Sequence, residues 1–461
     1  MKNPRRAADA PSHHPTSSRP LDRRTFLGRT LATGAALAIP GLSGSTAPLF
    51  AQDPPKSGSD ALRIAGIGVG HKGRHNLDEL AGEAIVTLCD VDARFLGEAA
   101  SRWPDARQYR DYRKMFEAEG GQIDAVVIST ADHSHAPATA IALELGLPVY
   151  CEKPLTHTVT EARAIASLAA KKKVATQMGT QIHATDNYRR VVEWVRSGVI
   201  GDVTAVHCWC NKGWSDGRFA APSEAPAHVD WDLWLGPAAE RPYSPNVHPT
   251  NWRRFWDYGA GTFGDMACHI IDLPFWALEL TYPSRVKCEG PEPHAVGAPA
   301  WTKATYEFPA GAGKSIQLTW SDGGHHFDVV RDTKDVDGNS LAKWGLGILF
   351  VGTEGMLAAD YGRRQLLPAD KVKGFVTPPQ TIPDSIGHWN EWVQAVKTGS
   401  PTTCAFDYAG PLTETVLLGI VAHRTGKELV WDAKNLRATG CPEADRYLAK
   451  EYRKGFGVSG L

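Results

Sequence analysis

The feature that most restricts the fold of this chain is a run of spaced glycines between a strand-like and a helix-like segment. Residues 62–69 form a short apolar run, which is typical of a strand buried in a parallel sheet. The run leads into Gly68, Gly70 and Gly73, and residues 74–82 then follow a helical pattern. This order predicts a strand, a tight turn and a helix at the start of an α/β domain.

The three glycines and a downstream acid fit the binding of a dinucleotide. Gly68 permits the tight turn, Gly70 lets a pyrophosphate approach the backbone, and Gly73 lets the helix pack closely on the strand. The helix N-terminus offers unpaired N–H groups to the phosphates. The next apolar run, Ala84 to Cys89, ends at Asp90, whose carboxylate can accept hydrogen bonds from both ribose hydroxyls.

Strand-like and helix-like segments continue to alternate over residues 60–183, which predicts a Rossmann domain with a doubly wound parallel sheet. The expected strands cover 123–130, 148–151 and 174–178, and the expected helices cover 136–145 and 161–172. Ligands of such sheets bind at the carboxyl ends of the strands. Polar residues at those ends are Thr130, His135, Glu152 and Lys153.

Residues 184–440 predict a C-terminal α+β domain with a largely antiparallel, open sheet, and residues 441–461 form a tail. Its expected strands alternate polar and apolar residues over 202–211, 303–308, 314–320, 348–352 and 356–360. Two late helices are expected over 385–397 and 408–425. The segment 212–258 holds five tryptophans without clear periodicity, so it is either a sugar-facing loop or a loop held in place by aromatic packing.

Composition excludes several classes of protein. The 461 residues are 42% hydrophobic and 22% charged with a net charge of −1, which argues against a disordered chain and against a nucleic-acid partner. The 8 cysteines show no paired spacing for zinc and are too few for a disulfide scaffold. Beyond residue 50 no apolar run is long enough to span a membrane.

The first 51 residues are expected to be a disordered leader and a twin-arginine export signal. Arg23 and Arg24 precede a weakly apolar segment that ends in small residues near Ala47 and Ala51. We therefore expect the twin-arginine export machinery as a partner and the periplasm as the location. This route carries folded proteins.

These motifs together resemble the Gfo/Idh/MocA oxidoreductases, a family that includes glucose–fructose oxidoreductase and inositol dehydrogenase. The resemblance covers about residues 62 to 430, and Ala131 departs from it where the family often has proline. The motifs that carry it are Gly68-x-Gly70-x-x-Gly73, Asp90, His135, Glu152-Lys153-Pro154, Ser197 to Asp202, and Gly259 to Asp272. By analogy with the family, we expect a homo-oligomer.

The candidate catalytic residues are Asp265, His269 and Asp272. They are spaced at i, i+4 and i+7, so they share one face if the segment is helical. Oxidation of an alcohol needs a base, and histidine has a suitable pKa. The resemblance implies that His269 is this base, that Asp265 orients it, and that Lys153 donates to the substrate oxygen. We assign Asp272 a supporting role and, with Trp252 and Arg253, expect it to contact the substrate.

The cofactor expected is NAD, because an acid at position 90 repels the 2′-phosphate of NADP. The nearby Arg94 leaves NADP open. A structural histidine is the plainer alternative for His269, and the Asp-x-x-x-His-x-x-Asp spacing also suits a divalent metal. We expect no metal, since Lys153 would repel it and hydride transfer does not need one.

Three functions fit these residues. The first is a dehydrogenase acting on a CH–OH group of a sugar, cyclitol or sugar derivative. The second is an NAD-dependent glycosidase that oxidises a sugar carbon transiently, eliminates the glycosidic bond and returns the hydride. The third, a non-catalytic sensor, is disfavoured because Lys153, Asp265 and His269 are all present. Because free NAD is scarce outside the cytoplasm, we expect an exported enzyme to retain its cofactor.

Overall fold

The computed structural model describes residues 60–311, 313–372, 374–458 and 460–461. The predicted twin-arginine signal within residues 1–51 therefore lies outside the described residues. In the part of the chain that is described, no helix is both long enough and apolar enough to cross a lipid bilayer.

Six parallel strands form the first sheet in the order β3-β2-β1-β4-β5-β6. The strands are β1 (Arg63–Ile67), β2 (Ala84–Cys89), β3 (Arg107–Tyr109), β4 (Ala125–Ile128), β5 (Val149–Cys151) and β6 (Thr176–Met178). The order reverses between β1 and β4, so the carboxyl ends of these two strands frame a crevice where ligands of such sheets bind. The predicted Rossmann fold is confirmed.

Six helices connect or follow these strands. They are α1 (His71–Glu79), α2 (Ala93–Arg102), α3 (Tyr112–Glu119), α4 (His135–Glu144), α5 (Val159–Lys172) and α6 (Asp186–Arg196). The start of α5 shows why a helix forms here: the Thr158 hydroxyl accepts from the Glu161 N–H, and the Glu161 carboxylate accepts from the Thr158 N–H. This reciprocal cap satisfies two donors that the first helical turn would otherwise leave unpaired.

Nine strands form the second sheet in the order β13-β12-β11-β7-β10-β9-β8-β14-β15. The strands are β7 (Val203–Cys210), β8 (Arg285–Glu289), β9 (Lys303–Pro309), β10 (Ser315–Asp322), β11 (Leu346–Gly352), β12 (Met356–Ala359), β13 (Arg364–Leu367), β14 (Leu429–Asp432) and β15 (Arg437–Thr439). Among the described strands of this sheet, only β7 and β10 pair in parallel. The expected, largely antiparallel sheet is thus confirmed.

The second half also contributes helices. The set is α7 (Trp231–Leu235), α8 (Gly261–Ile270), α9 (Asp272–Ala277), α10 (Asp328–Asp332), α11 (His388–Thr398), α12 (Phe406–Thr425) and α13 (Asp445–Leu448). Among them are α11 and α12, which pack against the first half. Helix α11 places Trp392 against Tyr150 of β5, with ring centroids 5.9 Å apart. Helix α12 packs on α5, where the guanidinium of Arg163 lies 2.8 Å from the Glu414 carboxylate.

Candidate active site

A cavity of about 360 Å³ lies at the carboxyl ends of β1, β2, β4 and β5 and extends to α7, α8 and the segment around Pro249. Most of the residues predicted to bind the cofactor line it. They are Gly68, Gly70, Asp90, Thr130, His135, Glu152 and Lys153. Gly73 does not line the cavity but packs behind it. His269, Trp252 and Arg253 line the same cavity, so it joins the predicted cofactor and catalytic residues.

The glycine turn has the geometry that a dinucleotide needs. Gly68 has a φ of +77°, and a Cβ on Gly73 would lie 1.7 Å from the Gly68 carbonyl oxygen. Helix α1 receives no side-chain cap at Gly70, so its N-terminal N–H groups face an anion-binding position without a competing side chain. A Cβ on Gly70 would meet the Phe95 ring at 2.6 Å, so packing also requires glycine there.

Asp90 ends β2 and is 9% exposed at the cavity wall. Its carboxylate accepts hydrogen bonds from the backbone N–H of Val69 at 2.8 Å and of Asp92 at 2.9 Å. Burial raises the pKa of this carboxyl to about 6, against these hydrogen bonds. Asp90 therefore joins the glycine turn to β2, and its carboxylate lies at the cavity wall, where ribose hydroxyls would donate to it.

Arg94 forms an ion pair with Asp92. Its guanidinium lies 2.8 Å from the carboxylate of Asp92, which also accepts from His248 Nε2 at 2.9 Å. These partners hold the pKa of Asp92 well below its usual range despite its burial. Because Arg94 already has a counter-charge, it offers less positive potential to a 2′-phosphate, which agrees with the expectation of NAD.

Glu152 and His135 hold the ends of β4 and β5 together. The Glu152 carboxylate accepts from Asn76 Nδ2 at 3.0 Å and from the Lys153 N–H at 3.2 Å. The ring nitrogens of His135 face the carbonyl oxygens of Pro154 at 2.8 Å and Thr130 at 3.0 Å. Burial lowers the pKa of His135, against the effect of these two carbonyl oxygens, and the ring shapes the cavity wall.

Asp265 of α8 is surrounded by cations. Its Oδ1 lies 2.6 Å from Lys153 Nζ and 3.2 Å from Arg253 Nε, and its Oδ2 lies 2.9 Å from Lys212 Nζ. Oδ2 also accepts from Trp214 Nε1 at 2.8 Å. We call Asp265, Lys153, Lys212 and Arg253 the Asp265 cluster.

The protonation states of Asp265 and Lys153 depend mainly on the charges that surround them. Burial would raise the pKa of Asp265, but Lys153, Arg253 and Lys212 hold it well below its ordinary value. Burial would lower the pKa of Lys153, but Asp265 and Glu152 outweigh burial and raise it. Asp265 is therefore ionised and Lys153 is a cation at neutral pH.

His269 lies one turn after Asp265 and is 7% exposed. Burial, followed by the charge of Lys153, holds the pKa of His269 well below its ordinary value, against the attraction of Asp265. The imidazole is therefore neutral and can accept a proton. Its Nδ1 is buried and has no hydrogen-bond partner among the described residues.

The structure changes two of the expected roles. The oxygens of Asp265 bond to the cations and Trp214 and not to His269, so the expected orientation of the imidazole by Asp265 does not occur through a hydrogen bond. The predicted substrate contact of Asp272 is wrong, because Asp272 starts a separate helix, is fully buried and does not line the cavity. Its carboxylate instead pairs with His183 Nδ1 at 2.9 Å and accepts from the Tyr408 hydroxyl at 2.6 Å.

The metal site considered for Asp265, His269 and Asp272 would need all three side chains together, but Asp272 lies on a different helix from the other two. The metal-binding alternative required these three side chains on one helical face, but the helix ends at Ile270 and a new one begins at Asp272. The groups near Asp272 are His183 and Cys404, whose potential ligand atoms lie within 4.8 Å of one another and are fully buried. Within this group, His183 Nδ1 lies 2.9 Å from the Asp272 carboxylate.

The tryptophan-rich segment is held by aromatic packing and also borders the cavity. Trp234 stacks on Trp231 with ring centroids 4.6 Å apart and belongs to a buried aromatic cluster. Trp234 and Trp252 also line the cavity, and the guanidinium of Arg253 lies 4.1 Å from the Trp252 ring. Packing holds the segment in place and presents two aromatic surfaces to the cavity.

Sequence reasoning missed Asp132, Lys212 and Trp214. Lys212 and Trp214 lie more than 50 residues before Asp265, so no local spacing connects them. Asp132 follows β4 and could have been found as an acid at a strand end. It is 4% exposed, lines the cavity, and has a pKa raised by burial to about 7, against Arg253 and Lys153.

The raised pKa of Asp132 predicts a pH-dependent effect of Asp132→Asn. Between the ordinary Asp pKa near 4 and about 7, the folded state holds this proton more tightly than the unfolded state, so the parent loses stability as the pH rises. The variant lacks this loss. We expect its free energy of unfolding, relative to the parent, to rise by about 1.4 kcal/mol per pH unit over this window. Urea unfolding at several pH values measures this, and a pH-independent difference would contradict the burial argument.

Family models and solved structures place this architecture among known proteins. The model "Oxidoreductase family, NAD-binding Rossmann fold" matches residues 62–180, and "Oxidoreductase family, C-terminal alpha/beta domain" matches residues 188–327. Levoglucosan dehydrogenase, solved with NADH and levoglucosan, superposes with a TM-score of 0.55 at 17% identity, covering 81% of this chain and 100% of that one. The WlbA dehydrogenase from Bordetella pertussis, solved with NADH and UDP-GlcNAcA, has a TM-score of 0.56 at 13% identity, covering 81% and 99%. At these identities the likeness shows the fold alone.

Curated relatives match parts of the chain. The rhizopine catabolism protein MocA of Rhizobium meliloti is 30% identical over 219 residues, which are 47% of this chain and 56% of the relative. Inositol 2-dehydrogenase of Rhodococcus erythropolis is 32% identical over 157 residues, or 33% of this chain and 45% of the relative. The chain thus spans about half the length of the curated relatives it matches. Because models of both domains match in order and together span more than half of the chain, it belongs to the Gfo/Idh/MocA family of oxidoreductases.

Proposed function

We propose that the protein is an NAD-dependent oxidoreductase that acts on a CH–OH group of a sugar, cyclitol or sugar derivative. One observation carries this proposal: a single cavity is lined by the neutral imidazole of His269 and the cationic amine of Lys153. This cavity lies at the carboxyl ends of the strands of the first sheet, next to the glycine turn. The inositol and levoglucosan dehydrogenases among its relatives and structural neighbours support the substrate class.

The residues of the cavity can be assigned to the steps of such an oxidation. The Gly68–Gly73 turn, the N-terminus of α1 and Asp90 would hold the dinucleotide, and NAD when bound supplies the hydride acceptor. Neutral His269 accepts the proton of the substrate hydroxyl. The Lys153 ammonium donates a hydrogen bond to the same oxygen and stabilises negative charge that develops on it. Asp265 keeps Lys153 charged and fixes its position.

A panel of sugars, cyclitols and aryl glycosides tests this function. The absorbance of reduced nicotinamide and the release of sugar are followed together with purified protein. Formation of NADH with one member of the panel, up to one equivalent per molecule of bound cofactor, is the expected result. Sugar release without net NADH would favour the glycosidase alternative, and no turnover of any kind with bound NAD would favour the sensor.

Asp90→Ala is expected to weaken NAD binding by about tenfold or more, because two ribose hydroxyls lose their acceptor, at about 1 kcal/mol for each hydrogen bond. Since Asp90 also accepts from Val69 and Asp92, a moderate loss of stability should accompany it. Titration calorimetry with NAD measures the affinity. Asp78→Ala, in an exposed part of α1, is the control, and an unchanged affinity for the Asp90 variant would show that the ribose lies elsewhere.

We further propose that the twin-arginine signal exports the protein to the periplasm with NAD already bound. The support is the Arg23-Arg24 pair before an apolar segment, together with the scarcity of free NAD outside the cytoplasm. Retained cofactor would be regenerated in each cycle by a second substrate or by return of the hydride. Nucleotide released by denaturing protein from the exported fraction is the expected result, and its absence would overturn retention.

Replacing both Arg23 and Arg24 by lysine should keep the protein in the cytoplasm, because the signal depends on the arginine pair. Cell fractionation with immunodetection measures the distribution, and we expect most of the protein to move to the cytoplasmic fraction. The neighbouring pair Arg5 and Arg6, replaced in the same way, is a matched control for charge-preserving changes. Normal export of the Arg23/Arg24 variant would contradict the signal assignment.

The oligomeric state proposed is a homo-oligomer formed through the second sheet. The support is the family analogy and the exposed side chains that alternate along β8 and β9, which include Arg285, Lys287 and Glu307. Light scattering on purified protein measures the mass directly. A monomer at micromolar concentration would overturn this proposal.

A further inference from the structure

A second cavity of about 250 Å³ lies apart from the first. Its walls come from the start of α5, the segment before α8, the C-terminal half of α12 and the segment around α13. Trp256 and Tyr447 supply aromatic wall, and Arg424 and Arg446 supply charge. None of the residues assigned above to the cofactor or to catalysis lines it.

The two arginines approach the same aromatic ring. The guanidinium of Arg424 lies 4.2 Å from the centroid of the Tyr447 ring and 5.2 Å from that of Trp256. The guanidinium of Arg446 lies 4.5 Å from the Tyr447 centroid. Within the described residues, neither guanidinium makes a hydrogen bond or an ion pair with a carboxylate. Both positive charges therefore border the Tyr447 ring at the cavity wall, and neither is paired with a carboxylate of the described residues.

The other charged residues of the cavity form no ion pair with either arginine. Asp257 lies 3.1 Å from Arg241 and is thus already paired. Lys450, a further cation of the wall, is matched by Glu161 at 3.0 Å. Glu451 is the remaining acid of the lining, and its side chain is exposed and makes no ion pair in the described part of the chain.

Partial burial makes the charge of Arg424 costly without an anion. Burial and the charge of Arg446 lower the pKa of Arg424, against the effects of Tyr447 and Asp257, but a guanidinium does not lose its proton in proteins. A partly buried charge is stabilised when it is paired and hydrogen-bonded. The planar fork of arginine matches the two oxygens of a carboxylate or phosphate, so an oxyanion is the ligand that fits.

We propose that this cavity is a binding site for a small oxyanion, a carboxylate or phosphate group, held by Arg424 and Arg446 against the rings of Trp256 and Tyr447. Its volume lies below the usual range of about 300–1,000 Å³ for drug-sized ligands, so the ligand is a small metabolite or an inorganic anion. The proposal does not depend on the chemistry assigned to the first cavity.

Titration calorimetry and thermal unfolding of the full chain, with inorganic phosphate in one arm and succinate in the other, test the site at constant ionic strength. We expect saturable binding and a rise in the unfolding temperature with at least one of them. The arm that binds more tightly distinguishes phosphate from carboxylate as the natural group. Failure of both anions to bind would overturn the proposal.

Variants locate the binding. Arg424→Gln should weaken it by about tenfold or more, because a charge-assisted, bidentate contact is lost. Arg446→Gln, at an exposed position, should weaken it as well and guards against misfolding of the first variant. Arg437→Gln, an exposed arginine outside the cavity, is the matched control and should bind normally. Binding that persists unchanged in Arg424→Gln would place the anion elsewhere, for example at the N-terminus of α1, and would overturn the proposal.

Discussion

His269→Ala is expected to lower the rate of the chemical step by about 10²–10⁴-fold, the usual contribution of a positioned acid–base group. The imidazole lines the cavity, is neutral, and has no hydrogen-bond partner among the described residues that would compete for the substrate proton. NAD binding should change little, because the glycine turn and Asp90 belong to the first sheet, whereas His269 lies on α8. Single-turnover rates at saturating NAD and substrate measure the step.

A purely structural role for His269 predicts a different pattern. The variant would lose stability, while the molecules that remain folded would turn over normally. His207→Ala is a matched control, since His207 is also buried, at 7% exposure, but bonds to Thr319 within the second sheet. Turnover per folded molecule, with the folded fraction from circular dichroism, separates the two roles. Normal turnover of folded His269→Ala would exclude it as the base.

The elements around the glycine turn could be predicted because their signals are local. The strand expected at Ala84–Cys89 has those bounds in the structure, and the helix expected over 74–82 begins three residues earlier, at His71. Buried apolar runs and turn glycines act over a few residues, so a single sequence reveals them. The short strand β3 was missed because its three residues, Arg107–Tyr109, include none that is buried and form no apolar run.

Which side chains meet in the candidate active site was harder to predict from the sequence. The spacing of Asp265, His269 and Asp272 predicts one helical face, but a helix break separates Asp272 from the other two. Pro274 was a usable signal, because proline cannot donate the backbone hydrogen bond that a continuous helix would require there. The pairing of Asp265 with Lys153, 112 residues away, depends on how the two sheets meet, which no local pattern encodes.

Asp265→Asn is expected to destabilise the protein by about 3–5 kcal/mol, the usual effect of removing one partner from a buried ion pair. The side chains of Asp265 and Lys153 are 6% and 11% exposed, so solvent screens them poorly. In the variant, Lys153, Lys212 and Arg253 would face a neutral amide and repel one another. Catalysis should fall as well, because Lys153 would lose the carboxylate that fixes its position.

Two further measurements test the prediction for Asp265→Asn: the pH dependence of its unfolding free energy, and the effect of a control substitution in an exposed ion pair. The folded pKa of Asp265 lies well below its unfolded value near 4, so its stabilisation is fully present above about pH 4 and is lost as the pH falls through the folded pKa. The difference between parent and variant in urea unfolding should therefore stay constant from about pH 5 to 8 and shrink in acid. Asp328→Asn removes the partner of Arg331 in an exposed pair and should cost less than about 1 kcal/mol. If Asp265→Asn costs no more than this control, the Asp265 cluster does not stabilise the fold, and Lys153 must be held in the cavity by its neighbours on β5.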